Sequence, residues 1–145
     1  MRYRIITGGK GSGKTTRLLS LSSECRNPSG YASVHRGDEY FLLDLSSGEE
    51  RLLMTSEPRF SARFRRWYYD ESLFSIAEQS LMAIAEGDVF LDEIGLLELE
   101  GKGFSRALRY LLTEGKASLT ITARDAYLES VISYFSIPDP EIIRL

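Results

Sequence analysis

The chain has 145 residues, 43% of them hydrophobic, with 18 Lys and Arg against 21 Asp and Glu for a formal net charge of −3. That length builds one α/β domain over residues 1–145 and leaves too little for two; the acidic balance excludes a broad electrostatic footprint for nucleic acid, although a local basic stripe stays open. A lone cysteine, Cys25, excludes an internal disulfide and a Cys-built metal centre, and with no charged-then-apolar leader and no apolar run near the roughly 20 residues of a bilayer crossing, the expectation is a cytoplasmic protein without a membrane partner, read as a monomer.

Residues 3–7, Tyr-Arg-Ile-Ile-Thr, read as a strand, and positions 8–15 directly after it read Gly-Gly-Lys-Gly-Ser-Gly-Lys-Thr, which fits G-x-x-x-x-G-K-[ST]. A helix then spans 14–25, carrying Leu18, Leu19 and Leu21, until Asn27-Pro28-Ser29-Gly30 forbids continuation. A strand feeding a glycine-rich loop that opens a helix is an anion site, because successive backbone N–H groups form a nest and the helix N-terminus faces the phosphates. The expected nucleotide-binding residues are therefore Gly8, Gly9, Lys10, Gly11, Ser12, Gly13, Lys14, Thr15 and Thr16. Lys14 should reach the β- and γ-phosphates of a nucleoside triphosphate, and the Thr15 hydroxyl should be a ligand of the Mg²⁺ that bridges them.

Between 31 and 54 the pattern changes to three short apolar stretches separated by Arg36-Gly37-Asp38-Glu39 and Ser46-Ser47-Gly48-Glu49, which predicts an antiparallel meander. Residues 56–66 are polar and arginine-rich around Pro58 and read as an exposed loop before Trp67-Tyr68-Tyr69. Helical spacing returns with Leu73, Ile76, Ala77, Leu81 and Ile84 and stops at Glu86-Gly87.

Asp88-Val89-Phe90-Leu91-Asp92-Glu93 is a buried-strand run ending in two acids, the form of a Walker B strand. Asp92 is the expected metal acid, acting through water because Mg²⁺ keeps much of its hydration. Glu93 is expected to orient and polarise the water that attacks the γ-phosphate, with Lys14 as its catalytic companion. Beyond it, Phe104, Ala107, Leu108, Leu111 and Leu112 mark a further helix ending at Gly115. Residues 119–123 form a buried strand, Asp125 caps a helix running to about Phe135, and 142–145 close the chain as a strand. The alternation of strands and helices implies a mainly parallel sheet with helices on both faces and the ligand at the carboxyl ends of its strands.

Two arginine sites are candidates to neutralise charge on a transferred phosphoryl group. Arg66 belongs to the cluster Arg59, Arg63, Arg65 and Arg66, interleaved with Phe60, Phe64 and Trp67; Arg124 stands at the carboxyl end of strand 119–123. Neither a guanine-reading Asn-Lys-x-Asp nor a Leu-Ser-Gly-Gly-Gln element is present, so broad base choice, ATP and GTP included, is expected. Tyr31, His35, Tyr68 and Tyr69 are the aromatic candidates for stacking on a base.

Leu91-Asp92-Glu93-Ile94-Gly95-Leu96-Leu97-Glu98-Leu99 resembles the D-E-I-G-x-M-E-L element of a small family of P-loop nucleoside-triphosphatases, which includes those of thermophiles and the human cancer-related one. The resemblance extends to Gly30-Tyr31, to residues 41–49 and to Trp67-Tyr68-Tyr69-Asp70. It implies a RecA-like, additional-strand fold and slow Mg²⁺-dependent hydrolysis of NTPs to NDPs and phosphate, and it carries over to the loop at 8–15, to Asp92 and to Glu93. The chain departs from that pattern at Leu96 and Leu97, where lysine and methionine are common, and in the shortened turn His35-Arg36-Gly37. Two alternatives stay open: a nucleotide or small-molecule kinase using the same loop, and a nucleotide-dependent switch with a nucleic-acid or protein partner.

Overall fold

The computed structural model describes residues 2–145. In chain order the elements are β1 (Tyr3–Gly8), α1 (Lys14–Ser23), β2 (Ser29–Arg36), β3 (Glu39–Asp44), β4 (Glu50–Thr55), β5 (Ala62–Phe64), β6 (Trp67–Tyr69), α2 (Glu71–Met82), β7 (Asp88–Leu91), α3 (Leu96–Leu99), α4 (Ser105–Thr113), β8 (Ser118–Arg124), a 3₁₀ turn (Asp125–Tyr127), α5 (Leu128–Phe135) and β9 (Glu141–Arg144). Among the described residues the strands form one sheet in the order β5-β6-β4-β3-β2-β7-β8-β1-β9. The half from β2 to β9 is parallel, and the meander adds β3, β4, β6 and β5 antiparallel to its β2 edge. β8 stands between β1 and β7, so the loop strand and the acidic strand are separated by one additional strand, as the family resemblance implies.

The two-residue alternation of strands explains why helices cover both faces. Ile5, Val89 and Leu91 point into the larger core with Leu81, Leu108 and Val131, whereas Ile6 and Phe90 point the other way to meet Leu18 of α1. α2, α4 and α5 thus pack on one face, and α1 packs on the other. Asp70 caps α2 by accepting from the Leu73 N–H at 3.2 Å, and the buried Glu78 of α2 accepts the Ala107 N–H of α4 at 2.8 Å, which pins the two helices together.

One glycine is dictated by the sheet. Gly30 has φ +113°, and a Cβ built there would lie 1.9 Å from the Phe90 carbonyl oxygen of the neighbouring β7. Only a residue without a side chain lets β2 lie this close to the acidic strand in that backbone conformation.

Three local expectations are corrected. The arginine-rich segment is not all loop, because Ala62–Phe64 pairs with Trp67–Tyr69 as a tight hairpin turning at Arg65 and Arg66. Ile76, assigned by spacing to the core face of α2, is 55% exposed, since a 3.6-residue period leaves the edge of an apolar stripe at the surface. Asp125 lies inside the 3₁₀ turn, and the helix proper begins at Leu128 without a side-chain cap.

Candidate functional site

Parallel pairing brings the carboxyl ends of β2, β7, β8 and β1 to one edge, with Gly8 in register with Arg124 and Leu91 with Ile121. From this edge spring the glycine-rich loop, the acids at 92 and 93, and Arg124. The loop narrows through a Ser12 N–H to Gly9 carbonyl bond of 3.2 Å. Gly13 is the N-cap of α1 at φ +93° and has no side chain to cap the helix, so the first-turn N–H groups remain free for an external acceptor. The buried Lys14 donates to the Gly9 carbonyl at 2.7 Å and to the Gly8 carbonyl at 3.4 Å. The loop therefore holds the ammonium over its own mouth.

Asp92 is 3% exposed, and its carboxylate ties three elements together. Oδ2 accepts from the Thr15 hydroxyl at 2.8 Å and from the Ser33 N–H at 3.0 Å, while Oδ1 accepts from the Thr122 hydroxyl at 2.6 Å. Of roughly four lone-pair directions on a carboxylate, three are filled, leaving about one to point outward. Thr15 donates its proton to Asp92, so its own lone pairs are free for a cation.

Thr122 was not among the sequence candidates, yet it organises the acidic turn. Its hydroxyl oxygen also accepts the Glu93 N–H at 2.8 Å, and its carbonyl accepts the Ile94 N–H at 2.9 Å. These bonds hold Glu93 at φ +62°, a left-handed conformation unusual for a residue with a side chain. No local signal singles it out, because the same strand also carries Ser118 and the buried Thr120, and only the folded pairing places the Thr122 hydroxyl beside the acids.

Glu93 faces the cleft and is accessible from it. Loss of water around its carboxyl pushes the pKa above the ordinary range, the neighbouring Asp92 pushes the same way, and Arg124, Lys14 and His35 oppose the rise. Glu98 plays a different part. Fully enclosed, it accepts the Gly95 N–H at 2.9 Å and the Phe104 N–H at 3.1 Å, bracing the segment between them, and burial raises its pKa to about 7.

Two cavities meet at Glu93. The first, about 420 Å³, is walled by Lys10, Gly11, Ser12, Gly13, Lys14, Thr15 and Thr16. The second, about 230 Å³, lies toward the meander and is lined chiefly by apolar side chains. Lys14, Ser33, Tyr40, Glu93 and Arg124 border both. Arg124 therefore reaches the site. Arg66 does not line either cavity; its guanidinium lies 4.4 Å from the Trp67 ring centroid, at the end of a chain of rings in which Trp67 meets Tyr40 edge-on and Tyr40 stacks on His35 at 4.3 Å. Of the aromatic candidates, Tyr31 and Tyr69 are buried in the core and are unavailable to a base, Tyr68 is covered by the Arg63 guanidinium, and His35 lies on the wall of the loop cavity.

The oxygen donors at 15 and 92 suit a hard cation such as Mg²⁺, which takes few protein ligands and completes its shell with water and phosphate. No group of three or more His, Cys, Asp or Glu stands together as a metal cage among the described residues. No helix among them is long and apolar enough to cross a membrane.

A family model described as NTPase matches residues 3–143. Among solved structures, the crystal structure of THEP1 from the hyperthermophile Aquifex aeolicus superposes with a TM-score of 0.76 at 17% identity, covering 100% of this chain and 90% of that one, and so shares its fold. No curated protein matches.

Proposed function

The chain belongs to the NTPase family, and from that premise we propose that it is an Mg²⁺-dependent nucleoside-triphosphatase that releases NDP and phosphate from a broad set of NTPs. The observation that carries this reading is the 2.8 Å bond from Thr15 to Asp92, which joins the anion-binding loop to the acidic strand and leaves Glu93 as the next residue, facing the same cleft. A purely regulatory nucleotide pocket has no need of a second acid at that position.

In this reading the loop amides from Gly9 to Thr16 and the Lys14 ammonium hold the phosphates. Thr15 and, through water, Asp92 would hold the magnesium ion, which when bound offsets charge on the β- and γ-phosphates. Glu93 accepts a hydrogen bond from the attacking water and aims it along the line of displacement; its backbone is fixed for that task by Thr122. Arg124, bordering the loop cavity, supplies positive charge to the γ-phosphate oxygens. Broad base choice is expected in this reading because the phosphate loop and the metal donors, which contact no base, supply most of the recognition.

Phosphate release from a panel of NTPs and dNTPs, with and without Mg²⁺, tests the reading. Release with several bases that requires the metal is expected, and Lys14→Ala should weaken nucleotide binding at least 10-fold. Phosphate release that is the same in EDTA would overturn the assignment.

A further inference from the structure

Water needs a share of space near 30 Å³, yet the second cavity at Glu93 measures about 230 Å³. A comparable size class of apolar cavity, about 150 Å³, takes up benzene. The walls are Met54 of β4, Phe64 and Trp67 of the β5–β6 hairpin, Leu96 of α3, Phe104 and Tyr127. Five of these six are only half-buried in the fold, and part of the surface they leave uncovered faces this chamber. Lys14, Asp92, Glu93 and Arg124 form the border it shares with the acids and the loop, and Arg65 and Glu98 are the other charged residues of its lining.

The chamber is on the wrong side of Glu93 for the nucleoside. With the triphosphate laid along the loop from Gly9 to Thr16 and its γ-phosphate at the acids, the sugar and base lead away from Glu93, whereas the chamber begins there. Whatever enters it meets the γ-phosphate with the Glu93 carboxylate alongside. We propose that this chamber binds a small alcohol with a single apolar or aromatic ring and that the protein transfers the γ-phosphoryl group to its hydroxyl, hydrolysis being the reaction when the chamber holds only water. The inference rests on the assignment of the loop and Glu93 made above.

The step balances without a further reactant. The alcohol oxygen forms a bond to the γ-phosphorus, the bond from that phosphorus to the β-bridging oxygen breaks, Glu93 takes the hydroxyl proton, and the products are a phosphate monoester and NDP. The apolar walls hold the ring so that its hydroxyl stands at the reacting centre.

The test uses benzyl alcohol, 4-hydroxybenzyl alcohol, 2-phenylethanol and cyclohexylmethanol with the full chain. Saturation-transfer NMR reads binding in the presence of a non-hydrolysable ATP analogue, and ³¹P NMR separates phosphate ester from free phosphate after incubation with ATP and Mg²⁺. Binding of at least one alcohol alongside the analogue is expected, with ester formed from it. Met54→Trp, which fills the chamber from the sheet, and Leu96→Trp, which fills it from α3, should each cut ester formation at least 10-fold while phosphate release without alcohol stays within threefold of the parent. Displacement of every alcohol by the ATP analogue would put the base in the chamber and overturn the inference. So would free phosphate as the sole product with all four alcohols, an outcome that leaves the triphosphatase reading standing; absence of both ester and phosphate would instead bring down that reading.

Discussion

Thr122→Val replaces a hydroxyl with a methyl of nearly the same shape at a residue with no exposed surface, so its effect reports hydrogen bonding with little change in packing. Two bonds are lost. The one to the Asp92 carboxylate, 2.6 Å long, involves an ionised acceptor and contributes about 1.5–3 kcal/mol. The other accepts the Glu93 N–H at 2.8 Å, and an unpartnered buried N–H costs about 1–3 kcal/mol. Because Glu93 borders an open cavity, water can replace part of the second bond. The expected loss in stability is therefore near the lower end, about 2–3 kcal/mol, read as a lower urea midpoint with an unchanged slope. The remaining loss falls on catalysis: once the left-handed turn at Glu93 loosens, hydrolysis should drop about 10- to 100-fold, equivalent to about 1.4–2.7 kcal/mol, with nucleotide affinity within threefold. Thr122→Ser restores the hydroxyl and should recover most of the rate. A Val variant within 0.5 kcal/mol (roughly the edge of a neutral substitution) and twofold of the parent in rate would refute the role assigned to this residue.

Gly30→Ala should destabilise by roughly 2–6 kcal/mol, combining backbone strain with overpacking against the Phe90 carbonyl, and a melting temperature equal to the parent's would contradict the close strand approach. For Glu98 the pKa in the fold is about 7 against an ordinary 4.5, so the folded state holds the proton more tightly than the unfolded chain. Its contribution to stability is full below pH 4.5 and is lost as pH rises to 7, a difference of about 3 kcal/mol. Urea titrations of the parent and Glu98→Gln across that window should show this extra downward slope in the parent alone.

The phosphate-binding loop was legible because its chemistry is local: strand, glycines, lysine and threonine are contiguous, and the loop needs no distant partner to be recognised. The same is true of the buried run ending in Asp92 and Glu93. Thr122 escaped notice because its role lies in a hydrogen bond across 30 residues, which pairing of β7 with β8 creates and no local spacing announces. The β5–β6 hairpin was hidden by its composition, since two strands of three residues carry no measurable alternation and the arginines between them resemble a solvated loop. Arg63 of β5 lies over Tyr68, and Arg65 and Arg66 of the turn lie over Phe64 and Trp67, an arrangement that only the folded hairpin sets up. The second cavity was equally invisible, because its walls come from β4, the hairpin, α3 and the turn at Tyr127, segments far apart in the chain.

The central claim is that Glu93 aims water at a triphosphate held by the loop and Asp92. Single-turnover hydrolysis of ATP and GTP by Glu93→Gln, measured with Mg²⁺ beside equilibrium binding of a non-hydrolysable analogue, tests it directly. The account predicts a rate at least 100-fold below the parent with binding within threefold; turnover at the parental rate would contradict it.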